Sequence, residues 1–300
     1  MYNFLNNSIR VEPVIGIFFL LLSHSFLCNA QLDATMFSDF SQTNLNPYLI
    51  NPSATDTSYL FKMQVNSIDE FGLSKYVNRS YLDVDKKINT ARRNSYHFIG
   101  LQASSSKLGQ YIAKNRLQFR YSWYTQISKR AALSAGISLG FINYSFQSSQ
   151  GGTGGSAFGP DGMLGLHYIR QNTIIGFSVQ QIFAPVLVPI NQSFQLNRLF
   201  NVDVSQRFRV SPQVKLTTYG VVQYAAETSL LYNLGLMSDV SELVMVGVND
   251  FSFRKTSFNV GVKNIRFYGG KIMMVATYSI YHSKFYALNN TLELFLAFQL

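Results

Sequence analysis

The chain has 300 residues, a formal net charge of +10, 15% aromatic but only 13% charged residues, and a mean hydropathy of +0.06. That is too apolar for a typical soluble secreted domain. Beyond residues 1–30 no apolar run approaches the roughly 18 residues of a membrane helix, so a helical membrane protein is excluded as well. Strands that are half lipid-facing and half wet, with Tyr and Phe gathered at both interfaces, have this profile. A basic surplus suits nucleic acid, anionic lipid or an acidic protein partner. No nucleic-acid motif is present, and an exported barrel meets no nucleic acid.

Residues 1–30 read as a signal peptide: Arg10, an apolar core from Val14 to Leu22, then Cys28-Asn29-Ala30 before Gln31. The expected product is an outer-membrane protein cleaved near Ala30. Arg10 and Glu12 cancel, so the mature chain keeps +10. Cys28 is the single cysteine. Its acylation would need small residues where Phe26 and Leu27 stand, so a lipid anchor is not expected. The mature chain then has neither a disulfide nor a cysteine-ligated metal.

Residues 31–58 form an N-terminal strap carrying Phe40-Ser41-Gln42, Asn46-Pro47-Tyr48-Leu49 and Asn51-Pro52-Ser53-Ala54. Each proline removes an amide donor and pushes the preceding Asn toward extended geometry, which predicts a stiff, non-helical segment. It either binds a partner or merely closes the periplasmic mouth.

The remaining residues, 59–300, read as one all-β domain, a transmembrane antiparallel β-barrel of about 14 strands. Candidate strands are 59–67, 79–88, 95–103, 115–127, 131–146, 161–170, 173–183, 198–209, 213–224, 228–238, 241–250, 255–265, 271–281 and 290–300. The hairpin over 115–141 is the clearest. Leu117, Phe119, Tyr121 and Trp123 share one parity and Arg116, Gln118, Arg120 and Ser122 the other. After Ser128-Lys129-Arg130, Leu133 to Phe141 alternate with Ser134, Gly136, Ser138 and Gly140. Side chains alternate across a strand, so each strand has one apolar face for lipid and one small or polar face for a lumen. Short links fall after the fourth, sixth, eighth, tenth and twelfth strands. Long ones follow the third, fifth, seventh and thirteenth, as barrels with tight periplasmic turns require. The link near Ala225 is short where a long one belongs. Gly151 to Gly155 lacks the Lys and the strand-to-helix context of a phosphate loop, and reads as a flexible external loop.

Catalytic and metal signals are sparse. His97, His167 and His282 show no metal spacing. His167 shares parity with Met163 and Gly165, so it looks inward and hydrogen-bonds within the lumen. Asp83 and Asp85 share one face and suit a lumenal ion pair with Arg116 or Arg120. No enzyme, cofactor or metal is expected. A hydrolase would need an outward-facing nucleophile that the sequence does not offer.

The strap phrases, Phe40-Ser41-Gln42 with Asn46-Pro47 and Asn51-Pro52-Ser53-Ala54, resemble the start of the PorP/SprF family of type IX secretion system membrane proteins of the Bacteroidetes. Gly176-Phe177-Ser178-Val179 is similar to its central strand. Tyr278-Ser279-Ile280-Tyr281 and Asn290-Thr291-Leu292-Glu293-Leu294 are similar to its carboxyl end. His282 stands where the family often has Asp, and Ile280 and Leu292 also depart from the pattern. The resemblance implies an outer-membrane accessory of type IX secretion or gliding that binds secreted surface proteins and periplasmic components. The alternative is a passive porin, with the small residues of the fifth strand leaving its lumen open. Candidate partner-binding residues are Phe40, Ser41, Gln42, Asn46, Pro47, Tyr48, Leu49, Asn51 and Pro52. Arg92, Arg93, Lys129, Arg130, Arg170 and Arg266 form a candidate periplasmic basic rim, which either meets an acidic partner or binds outer-membrane lipid phosphates.

Overall fold

Alternation decides the architecture. Along Ile112–Ser128 every second side chain from Lys114 to Ser122 is buried, while Leu117, Phe119, Tyr121 and Trp123 are exposed. Phe119 is 53% exposed and its neighbour Gln118 0%. Such a sheet satisfies its backbone in lipid only if it closes on itself. The computed structural model describes residues 40–71, 77–90, 94–147, 154–191, 193–225, 230–282 and 290–300. The expected signal peptide, Arg92, Arg93, residues 151–153 and most of the link near Ala225 lie outside them.

The strands are β1 (Phe61–Phe71), β2 (Asn78–Asn89), β3 (Ser95–Leu108), β4 (Ile112–Ser128), β5 (Ala131–Phe146), β6 (Gly155–Arg170), β7 (Thr173–Gln180), β8 (Val186–Leu187), β9 (Phe194–Gln195), β10 (Leu199–Arg209), β11 (Val214–Ala225), β12 (Leu231–Val240), β13 (Val244–Phe251), β14 (Lys255–Phe267), β15 (Gly270–Tyr281) and β16 (Asn290–Gln299). All but β8 and β9 form a closed barrel of fourteen antiparallel strands. The seam pairs β1 with β16, from Lys62 opposite Gln299 to Phe71 opposite Asn290.

The expected strand number is met, and the loops need correction. β3 and β4 run on to Leu108 and Ile112, so the link after the third strand is a tight turn. β6 begins at Gly155 because Gly155–Pro160 pairs with β5, which shortens the glycine-rich loop. The 181–198 loop is ordered by the β8–β9 ribbon, and Leu187 and Leu196 bury against Ile142 and Tyr144 of β5. Apolar residues in a loop need cover, and the inner wall supplies it.

The strap is not wholly extended. Pro47–Leu49 forms one 3-10 turn, with Pro47 at its first position, where a fixed φ and a missing N–H carry no penalty. Ile50 donates to the Pro47 carbonyl at 3.1 Å. Nor does the strap merely close the mouth: residues 40–59 lie within the barrel, from Phe40 beside Ile68 and Tyr81 to Tyr59 beside Asp85.

The face assignment has a direct test. Val204 points outward and its neighbour Ser205 lines the lumenal cavity. Val204→Lys should cost about 2–4 kcal/mol of assembly stability and Ser205→Lys much less, read as loss of heat-modifiable migration from outer membranes. Equal damage from both would reverse the faces.

Candidate functional site

The inner wall and the strap form one hydrogen-bonded site. Inward glycines make the space: a Cβ on Gly136 would collide with the Pro52 carbonyl, and one on Gly165 with Asn51 Oδ1. Wall hydroxyls then bind the strap backbone. Ser122 donates to the Pro52 carbonyl at 2.6 Å, Ser134 to Ser53 at 2.8 Å and Ser178 to Ile50 at 2.6 Å. The small inward residues of β5 therefore admit the strap instead of leaving the lumen open there.

Three clusters hold the strap along its length. Nearest Phe40, Glu293 accepts the amide of Ser41 at 2.8 Å and Nδ2 of Asn66 at 2.7 Å, and the Gln42 side-chain amide donates to Thr277. Asn46 does not cap its turn with its side chain; its Oδ1 accepts from Gln64 at 2.9 Å.

The second cluster is ionic. Arg120, 1% exposed, grips Asp83 with Nη1 to Oδ2 at 2.8 Å and Nη2 to Oδ1 at 3.2 Å, and lies 3.2 Å from Asp85. Its guanidinium stacks 3.6 Å from the centroid of the Tyr48 ring. Tyr59 donates to Asp85 at 2.7 Å and lies 2.6 Å from the Tyr48 hydroxyl. Lys62 completes the charge balance 5.7 Å from the Tyr48 ring centroid. A buried carboxylate pair is tolerable only with such partners. Arg116, the other expected partner of these carboxylates, pairs instead with Asp161 at 2.6 Å, reaching diagonally across β5; Gln118, level with Asp161 through Gly140, donates to the same carboxylate at 2.8 Å.

The third cluster centres on His167, which looks inward as its parity required. Nε2 donates to Asp203 Oδ2 at 2.7 Å, and Nδ1 lies 3.1 Å from Ser53 Oγ. Asn51 Oδ1 accepts from the Ser53 amide at 3.1 Å and hydroxyl at 2.7 Å, an Asx turn, while its Nδ2 reaches Asp203 Oδ1 at 3.2 Å. The Ser-His-Asp order imitates a hydrolytic triad. Ser53 is fully buried and also bonded to Asn51, so the array works as a latch on the strap. Among the described residues no three His, Cys, Asp or Glu side chains converge as metal ligands would.

Of the nine candidate strap residues, Phe40, Ser41, Gln42, Asn46, Tyr48, Leu49, Asn51 and Pro52 are buried and Pro47 half-buried. Pro47 and Tyr48 also face a cavity of about 610 Å³ on the tight-turn side of the strap. Lys129, Arg130, Arg170 and Arg266 are exposed at or beside the turns after β4, β6 and β14, at the end of the barrel that has no long loop among the described residues, as a periplasmic end requires. Arg209 and Lys215 join them, though Lys215 is bonded to Glu242, whose carboxyl this bond holds below its ordinary range. Sequence reasoning had not singled out Asp161 or Asp203, nor assigned Glu293 a role. The available signal was a single carboxylate per strand standing on the inward parity.

With this geometry in place, the comparisons identify the chain. A model of the family "Type IX secretion system membrane protein PorP/SprF" matches residues 32–298. The chain belongs to this family. Comparison with curated proteins gave no match. Among solved structures, the barrel is similar to the Ralstonia pickettii toluene transporter TbuX, with a TM-score of 0.57, 12% identity, and 87% of this chain and 93% of that one covered. It is also similar to the P. putida toluene transporter TodX, with a TM-score of 0.52, 9% identity, and coverages of 84% and 93%. At such identities the likeness shows the fold alone. Family and fold together make this PorP/SprF protein an outer-membrane β-barrel of type IX secretion.

Two outcomes test the site. Arg120→Met strands Asp83 and Asp85 and should cost about 3–5 kcal/mol in urea unfolding, with most of it restored when both are also changed to Asn. Gly165→Val should expel the strap locally, so that a Ser53→Cys thiol, inert in the parent barrel, reacts with a water-soluble maleimide.

Proposed function

We propose that this barrel is a non-enzymatic accessory of type IX secretion and gliding that binds secreted surface proteins and periplasmic components. The observation that supports this reading best is the strap latched across the lumen. Its buried hydrogen bonds would each cost about 1–3 kcal/mol if a partner were left unpaired, so the barrel keeps this segment in place. A barrel that occupies its own lumen serves a solute poorly, and it offers a protein partner a rigid, preorganised end.

The basic rim supports the same reading. Lys129, Arg130, Arg170 and Arg266 lie on the periplasmic end, where an acidic face of a periplasmic component would meet them. The strap residues from Phe40 to Pro52 contribute by shaping the inner surface behind that rim. Export requires a signal peptide over 1–30, with 31–58 as strap and 59–300 as barrel.

A strain lacking the protein should retain its other outer-membrane proteins and fail to display one or a few surface proteins, measured by surface labelling and culture-supernatant proteomics. Uptake of small hydrophilic solutes should be unchanged. Intact secretion with altered permeability would establish the porin instead. Lys129→Ser with Arg130→Ser should weaken partner capture in a salt-dependent way while the barrel stays heat-modifiable; unchanged capture would assign the rim to lipid.

A further inference from the structure

The cavity between the strap and the tight turns has two unlike walls. Leu45, Met237, Met245, Ile272 and Met273 line one side. Met237 and Met245 are backed by Val275, Phe295 and Ala297, with Leu45 and Met273 packed against them. Unbranched, polarizable Met side chains re-pack around apolar groups of varied shape and are favoured at adaptable binding surfaces. The other side carries the latch pair His167 and Asp203. The volume of about 610 Å³ lies within the roughly 300–1,000 Å³ of ligand sites.

Charge narrows the occupant. Lys62, Arg207, Lys263 and Lys271 line the cavity; Lys62 is already set against Asp83 and Asp85 and Lys263 against Asp239, which leaves Arg207 and Lys271 for an occupant. Asp56, Asp203 and Asp239 oppose them, but Asp203 is engaged by His167 and Asp239 by Lys263 at 2.7 Å. Arg207 and Lys271 are exposed at the mouth, and the turn cations Arg170, Arg209 and Arg266 extend the same sign outward. The cavity walls face the lumen and not the bilayer, and they open at the mouth. This placement favours a peptide chain entering from the periplasm over a head group held in the bilayer.

We propose that this periplasmic cavity takes an extended acidic peptide of a periplasmic partner, with one apolar side chain seated against Met237, Met245 and Met273 and its carboxylates on Arg207 and Lys271. This rests on the accessory reading above and names the site and chemistry it leaves open. The strap forms the floor of the site through Pro47 and Tyr48, so partner binding and strap placement share a surface.

The test uses the full mature chain in nanodiscs and three dye-labelled twelve-residue peptides: acidic with a central phenylalanine, acidic with alanine in its place, and basic with the phenylalanine. The first should bind, with the others at least about tenfold weaker and affinity falling with salt. Arg207→Glu with Lys271→Glu should lower that affinity about tenfold, and Met273→Gln should reduce it separately. Lys107→Glu at the opposite end should leave it unchanged, all variants remaining heat-modifiable. Equal binding of the three peptides, indifference to the cavity variants, or full competition by phosphatidylglycerol vesicles or peptidoglycan fragments would overturn the proposal. Such a failure alongside lost secretion in the deletion strain would leave the accessory role standing. Intact secretion in that strain would remove the role itself.

Discussion

A closed barrel turns half of every strand toward a space that is neither lipid nor bulk water, and each polar group placed there needs a partner. Most of this structure follows from that constraint. The inner wall presents Ser122, Ser134, Ser178, Asn233, Asn249 and Glu293, all buried. The strap brings the complementary groups, largely its own backbone amides and carbonyls. A segment rich in Asn and Pro suits this task, because its backbone makes little secondary structure of its own and leaves carbonyls free for the wall.

The ionic cluster obeys the same constraint at higher cost. Two aspartates one strand repeat apart would repel each other in a dry wall. Arg120 grips Asp83 with two bonds and lies 3.2 Å from Asp85, Tyr81 and Gln64 of the wall also bond Asp83, and the Tyr48 and Tyr59 hydroxyls both bond Asp85 Oδ2. Tyr48 and Tyr59 lie outside the strands, so the wall's charges are completed only when the strap is home. Strap and barrel are therefore one cooperative unit, and the periplasmic cavity is the space this unit leaves open. For a PorP/SprF protein this gives the two membrane faces different characters: a mouth partly covered by the 181–198 loop, and a basic, Met-lined mouth on the tight-turn side.

Much of this was legible in the residues. The hairpin of β4 and β5 follows its predicted parity from Leu117 to Phe141, and β5 has the predicted ends, because alternation is a local property. Asp83, Asp85 and Arg120 were recognisable as lumenal by parity, as was His167. Strand ends at β3, β4 and β6 were not, since small and polar residues such as Gly155 and Ser156 read as loop until a neighbouring strand pairs with them.

By itself, then, the order of amino acids determined the strand number, the lipid-facing and lumen-facing sides, and the family likeness carried by the two Asn-Pro steps. Each depends on residues near in sequence. Tertiary structure alone decided that Arg116 meets Asp161 while Arg120 meets Asp83, that Asn51 and Ser53 latch onto His167 and Asp203, and that the strap fills the lumen. Those pairings join residues more than a hundred positions apart in several cases, and the shear of the closed barrel sets which inward side chains share a level. No periodicity within one strand carries that information.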